Sequence, residues 1–251
     1  MSEEAKDRGA SRRSVMVGMG LAAPMLASLH GTDARAAVSA GAGLQGDGKT
    51  ILGMLVFDGF QLLDVFGPLE MFGNLRDQVC IIILGERAGP VVSSAGPAIM
   101  VDATLEQAKK LDVFMVPGGA GTRREVGNMR LIEAIKSTAL ATPHVASICT
   151  GAALLAQTGL LDGARATTNK RAFRWVVGQG SNVQWVRQAR WVEDGKYFTS
   201  SGISAGTDMA LAMIERLYGR ERAQRVADGA EYHWNNDPAN DPFAKLNGLV
   251  D

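Results

Sequence analysis

The sequence predicts a doubly wound α/β domain, a mostly parallel sheet with helices on both faces. Apolar runs at 51–57, 79–84, 113–116 and 144–148 are continuous rather than alternating, the pattern of strands buried on both faces. Helical apolar spacing separates them at 62–72 and 129–140. Turn residues follow two of the runs, as Pro117-Gly118-Gly119 and Thr150-Gly151. Strands that alternate with helices are joined by crossovers and lie parallel.

Along the chain, Ser11-Arg12-Arg13-Ser14 precedes an uncharged run at 15–29 and then Ala34-Arg35-Ala36, which fits cleavage before Ala37. Residues 1–36 are expected to be a twin-arginine signal that exports the folded protein to the periplasm. An apolar run of about 15 residues falls short of the roughly 20 that span a bilayer, so no stable membrane insertion is expected after cleavage. Residues 37–49 are rich in Gly, Ala and Ser and read as a flexible leader; 50–251 form the domain. Within it, Leu131, Ile135 and Ala139 share one face of the 129–140 helix. Glu193-Asp194-Gly195-Lys196 predicts a hairpin centred on Asp-Gly. Two helices then close the domain, at 204–218, with Ala210, Ile214 and Leu217 in one stripe before Gly219, and at 221–231.

The 251 residues carry 26 basic and 26 acidic side chains with no basic cluster beyond the first residues, which excludes the electrostatic footprint of a nucleic-acid binder. Two cysteines, Cys80 and Cys149, are too few for a disulfide framework. Cys80, within Val79-Cys80-Ile81-Ile82, is expected in the core, and a bridge to Cys149 would need adjacent strands. Beyond the signal only His144 and His233 remain, without a ligand pair, so no metal site is expected.

Cys149 is the centre of the chemistry. The run from His144 to Ile148 leads into it, Thr150 and Gly151 permit a tight turn, and 152–157 is good helix material. A cysteine at such an elbow lies at the carboxyl end of a parallel sheet, where ligands bind and a helix N-terminus favours the thiolate. A thiolate that performs addition needs an acid partner and donors for developing charge. Asp64, in the apolar stretch Leu62-Leu63-Asp64-Val65-Phe66, would be desolvated and able to hold a proton; a helix cap fits it as well. Glu70 is the competing carboxylate. Gly118 and Gly119 follow another strand end and could offer backbone N–H groups as an oxyanion site.

These elements resemble the ThiJ/PfpI superfamily, with its class I glutamine amidotransferase-like, flavodoxin-type fold, over about 51–231. The closest character is that of the isonitrile (isocyanide) hydratase branch. The matching segments are 63–68, Gly89-Pro90-Val91-Val92-Ser93-Ser94, Val116-Pro117-Gly118-Gly119, Ser147-Ile148-Cys149-Thr150-Gly151, the run 159–168, and Gly202-Ile203-Ser204-Ala205-Gly206-Thr207-Asp208. The resemblance implies a cysteine-dependent hydro-lyase without cofactor, acting on a small-molecule substrate as a homodimer. Cys149 would add to the isocyanide carbon, Asp64 would protonate that carbon or position water, and Thr150 would supply a hydroxyl and a backbone N–H. Other readings are a non-catalytic periplasmic small-molecule-binding domain, or another cysteine hydrolase or carbonyl-detoxifying enzyme of the superfamily.

One departure bears on the site. Where the family frequently reads Ala-Thr-Thr-His, this chain has Ala166-Thr167-Thr168-Asn169. An amide hydrogen-bonds but does not titrate. His144 would stand roughly 16 Å from Cys149 along a strand at about 3.3 Å per residue, and His233 reads as a surface residue. Activation of Cys149 is therefore expected from Asp64 and the elbow, with Asn169 beside the site as a neutral donor.

Overall fold

The computed structural model describes residues 48–108 and 110–251; the signal at 1–36 and nearly all of the 37–49 leader lie outside the described residues. The chain forms β1 (Thr50–Leu55), α1 (Leu62–Gly73) and β2 (Val79–Gly85), then a hairpin of β3 (Gly89–Val92) and β4 (Ala98–Val101), and a short β5 (Ala103–Thr104). It continues through β6 (Val113–Val116), α2 (Thr122–Glu125), α3 (Met129–Ala141) and β7 (His144–Ser147). After α4 (Gly151–Gln157) come β8 (Arg165–Ala166), α5 (Phe173–Val177), β9 (Gln184–Trp185), β10 (Trp191–Asp194) and β11 (Tyr197–Ser200). The last elements are α6 (Ala205–Tyr218), α7 (Arg220–Gly229) and α8 (Phe243–Leu246).

The main sheet has the order β10-β11-β7-β6-β1-β2-β5 and is parallel except for β10 against β11. Chain order therefore runs outward from β1 through β2 to β5 on one side and from β6 through β7 to β11 on the other, where β10 adds the antiparallel edge. The reversal between β1 and β6 opens a crevice at the carboxyl ends of the strands, the place where such sheets bind ligands. Helix α6 packs against both α1 and α7, and α4 packs with α2, α3 and α5. This is the doubly wound architecture the sequence predicts. Leu52, Met54, Leu55, Phe114 and Met115 are fully buried in the central strands. Each such side chain contributes about 1.5–3 kcal/mol by leaving water.

Two expectations are corrected, and the possible bridge between the cysteines is settled. Cys80 is half-buried rather than core, because β5 pairs with β2 only at Leu84 and Gly85 and leaves the first half of β2 without a neighbouring strand on that side. Both cysteines are free, and β1 and β6 stand between the strands that carry them, so no bridge joins them. In the β10–β11 hairpin Asp194 pairs with Tyr197, which makes Gly195-Lys196 the two-residue loop, shifted by one from the expected centre. Gly195 takes the left-handed φ of 59° there. Asp194 is held in the ladder while its carboxylate accepts the Arg165 N–H at 2.7 Å.

The segment beyond α7 is not a trailing end. It turns at Glu231, φ 49°, and lies back on the domain, where the Arg190 N–H donates to Pro238 O at 2.7 Å and the Trp234 indole to Asp208 O at 3.2 Å. Asp208 itself is buried against Arg190 and accepts from the Tyr232 hydroxyl at 3.0 Å.

Candidate active site

Three connections leave the carboxyl ends of neighbouring strands and converge. The turn after β1 starts α1, the turn after β6 carries Gly118 and Gly119, and the turn after β7 carries Cys149. Asp64 is the third residue of α1, while Gln61 occupies the N-cap and makes no side-chain cap bond, so Asp64 is not the helix cap. Pro68, one turn later, has no N–H to give the Asp64 carbonyl. The Asp64 side chain is fully buried and accepts the Gly118 N–H at 2.9 Å. Its other oxygen, Oδ1, is buried without a hydrogen-bond partner, and the Cys149 thiol lies near enough to feel the carboxylate charge. Glu70, the competing carboxylate, is exposed.

Cys149 has a left-handed backbone, φ 56°, in a buried position. A non-glycine residue in that region costs on the order of 1–3 kcal/mol and persists only where its surroundings hold it. The holds are visible. Ile148 N donates to Val116 O at 2.9 Å, Cys149 N to Ser201 O at 3.1 Å, and Thr168 Oγ1 to Cys149 O at 2.7 Å. Backbone N–H groups of Ile203 and Thr150 and the Asn169 side chain lie around the sulfur, where they favour its ionised form. Ile203 is itself left-handed, φ 40°, an outlier for a β-branched residue. Sequence reasoning passed over Ile203, because what it offers is a backbone donor that any residue type could carry.

The buried pair sets the electrostatics. Desolvation pushes the Asp64 carboxyl up to about 7, against the lowering pull of the Gly118 N–H and the nearby Cys149. Desolvation and then the Asp64 charge push the Cys149 thiol up to about 12, against the donors from Ile203, Thr150 and Asn169. This reverses the expectation that a helix N-terminus would favour the thiolate. The helix α4 has only seven residues, and burial beside a carboxylate outweighs its end. Two adjacent acids in a dry site do not ionise together, so between these two values the pair holds one negative charge and one proton. Sulfur nucleophile and carboxyl thus share one buried site and, between those values, a single proton.

The remaining predicted residues surround this pair. Thr150 is buried, and its hydroxyl oxygen accepts from Gly119 N at 3.0 Å and from the Thr122 hydroxyl at 3.1 Å. The N–H groups of Gly118 and Gly119 are therefore engaged by Asp64 and Thr150 and brace the site, whereas the donors at the sulfur come from Thr150 and Ile203. A Cβ on Gly118 would stand 2.6 Å from Thr150 Oγ1 and 2.9 Å from Asp64 Oδ2, so only glycine leaves room for the carboxyl to reach the elbow. Asn169 uses its Oδ1 to accept the Ala172 N–H at 2.9 Å and turns its amide toward the cysteine. His144 begins β7, at the opposite end of the strand from the elbow, and His233 is exposed. A cleft of about 490 Å³ at the ends of β1 and β2, lined in part by Asp58, Arg87 and Arg124, includes neither Asp64 nor Cys149.

Known proteins share this arrangement of the chain. The DJ-1/PfpI family model matches residues 49–216. An isonitrile hydratase of Pseudomonas putida is 36% identical over 181 residues, which cover 72% of this chain and 78% of that protein. The HTH-type transcriptional regulator CdhR of Pseudomonas aeruginosa is 33% identical over 147 residues, 58% of this chain and 43% of the regulator. Among solved structures, a ThiJ/PfpI family protein from Pseudomonas syringae superposes with a TM-score of 0.69 at 30% identity, covering 76% of this chain and 77% of that one.

Proposed function

The chain belongs to the DJ-1/PfpI family, and from that premise we propose that it is a cysteine-dependent hydro-lyase that adds water to an isocyanide to give an N-substituted formamide. The buried juxtaposition of Cys149 and Asp64, whose Oδ1 has no hydrogen-bond partner of its own, carries this reading. The terminal carbon of an isocyanide accepts both a nucleophile and a proton, and the pair supplies one of each to a single atom. The Cys149 sulfur bonds to that carbon while Asp64 protonates it, which gives a thioimidate, R–N=CH–S–Cys. Asp64, now ionised, takes one proton from water as the water oxygen adds to the same carbon and passes it to the nitrogen, which leaves R–NH–CH(OH)–S–Cys with the second water proton on the hydroxyl. Collapse breaks the C–S bond, releases R–NH–CHO and returns the proton to the pair. The sum is one isocyanide plus one water. Thr150 and Ile203 hold the sulfur from their backbone N–H groups, and Asn169 adds a neutral donor where a titrating imidazole would compete for the proton.

The test is direct. Purified protein incubated with alkyl and aryl isocyanides is expected to yield the corresponding N-formamides, identified by mass spectrometry. No formamide from any of them would sink the proposed activity and leave the binding-domain alternative, suggested by the regulator relative, to be measured by calorimetry.

We place this activity in the periplasm, in a homodimer. Support comes from the Arg12-Arg13 signal pattern ending at Ala36, and from Leu63 and Phe66, large apolar side chains 42% and 46% exposed on α1 beside the site. Protein recovered from a periplasmic extract is expected to begin at Ala37 and to sediment with twice the monomer mass. An uncleaved cytoplasmic monomer would overturn both placements.

A further inference from the structure

A buried ion pair behind the elbow plays no part in the steps above. Lys170 is 3% exposed and Asp241 1%, and Lys170 Nζ stands 3.3 Å from Asp241 Oδ2. Nζ also donates to Thr167 Oγ1 at 2.6 Å and to Thr168 O at 3.1 Å, while the Asp241 carboxylate faces the ammonium as its counter-ion, with Oδ2 taking no hydrogen bond. Asp241 belongs to the segment that folds back after α7, and its second oxygen accepts the Phe243 N–H at 3.0 Å at the start of α8. The oxygens that Lys170 grips lie in the run 167–169, which borders the nucleophile: Thr168 Oγ1 donates to the Cys149 carbonyl, and the Asn169 side chain lies beside the sulfur.

We infer that Lys170 and Asp241 are positioning residues for Cys149, which make the C-terminal segment part of the active-site framework. Cys149 keeps its left-handed backbone only while its carbonyl and N–H are anchored. The carbonyl anchor is Thr168, whose own carbonyl is fixed by Lys170. Asn169 is neutral and half-buried, with its oxygen committed to Ala172, so its aim at the sulfur depends on the backbone of its neighbours. Lys170 sets that backbone from one side. Asp241 neutralises it from the other. An apolar pair of similar volume fills the same space and frequently matches a buried ion pair in stability, but it has no donor for Thr167 or Thr168. That difference separates positioning from simple packing.

The inference rests on Cys149 as the reactive thiol, and its test reads the thiol without any isocyanide. In a Cys80→Ser background, alkylation of Cys149 by iodoacetamide is followed by intact mass across pH. The double variant Lys170→Met with Asp241→Leu is expected to melt at the parent temperature and to alkylate about tenfold more slowly at fixed pH. Thr168→Val, which leaves the ion pair intact and removes the anchor on the Cys149 carbonyl, is expected to slow alkylation in the same direction. An unchanged alkylation rate in either folded variant would reduce the pair to a structural tie and overturn the inference. A parent that alkylates normally yet forms no formamide would defeat the proposed activity alone. A parent Cys149 inert at every pH would overturn the nucleophile assignment and this inference with it.

Discussion

Asp64→Asn is expected to inactivate the protein while making it more stable at pH 8. An Asp whose pKa is raised from 3.8 to about 7 favours the folded state fully below 3.8, and that contribution is lost as pH rises through about 7. At about 1.4 kcal/mol per pKa unit, the ionised carboxyl costs the folded protein about 4 kcal/mol above neutrality. Asn has the shape to accept the Gly118 N–H and carries no charge to bury. Chemical denaturation at pH 4 and pH 8 is expected to show the parent losing stability between the two, relative to the variant, and equal pH dependence would contradict the burial argument. The variant also lacks the shared proton. The parent thiol, pushed up to about 12 by burial and then by the Asp64 charge, is expected to alkylate slowly near neutrality, whereas in Asp64→Asn the charge is gone and the alkylation rate at fixed pH is expected to rise, with the thiol still above its ordinary range through burial. Full formamide production by Asp64→Asn would remove Asp64 from the mechanism.

Cys149→Ser is expected to abolish formamide formation, by at least about 10³-fold, the scale on which removal of a covalent nucleophile acts. The hydroxyl takes the same hydrogen bonds from Thr150 and Ile203, so the fold is expected to persist. What is lost is a group able to become an anion beside a carboxyl poised near 7. Intact mass of the parent mixed with an isocyanide and quenched early is expected to show an adduct of one isocyanide per chain, and the serine variant none. An undiminished product from Cys149→Ser would end the covalent scheme.

The alternation of apolar runs and helical spacing was enough to place β1, β2, β6 and β7 with the helices between them. These strands lie inside the sheet, where burial on both faces forces a nearly continuous apolar sequence. Edge features were harder. The pairs β3–β4 and β8–β9 are short and half solvated, β5 has two residues, and Cys80 belongs to an apolar run whose first half lies at the sheet edge. No local pattern distinguishes such a run from a fully covered one. The same limit hid the C-terminal segment. Asp241 sits among polar residues, Asn235-Asn236-Asp237-Pro238-Ala239-Asn240, and only its distant partner Lys170 explains its burial.

At the site, the line between sequence and structure falls in the same place. Cys149 at a strand-to-turn-to-helix junction, Asp64 in an apolar context and Gly118-Gly119 after a strand are all local statements, and each marked a residue that the fold brings to the crevice. The sequence by itself thus determined the doubly wound class, the elbow, and the absence of an imidazole at Asn169. Tertiary structure alone decided that Asp64 lies against the thiol rather than capping its helix, and that Gly118 and Gly119 brace the site with N–H groups already engaged. It also decided that the left-handed Ile203 faces the sulfur and that burial drives Cys149 upward rather than toward the thiolate. The physical reason is that pKa and hydrogen-bond direction depend on what surrounds a group in space, and those surroundings come from β1, β6, β7 and the chain after β11, segments far apart in sequence.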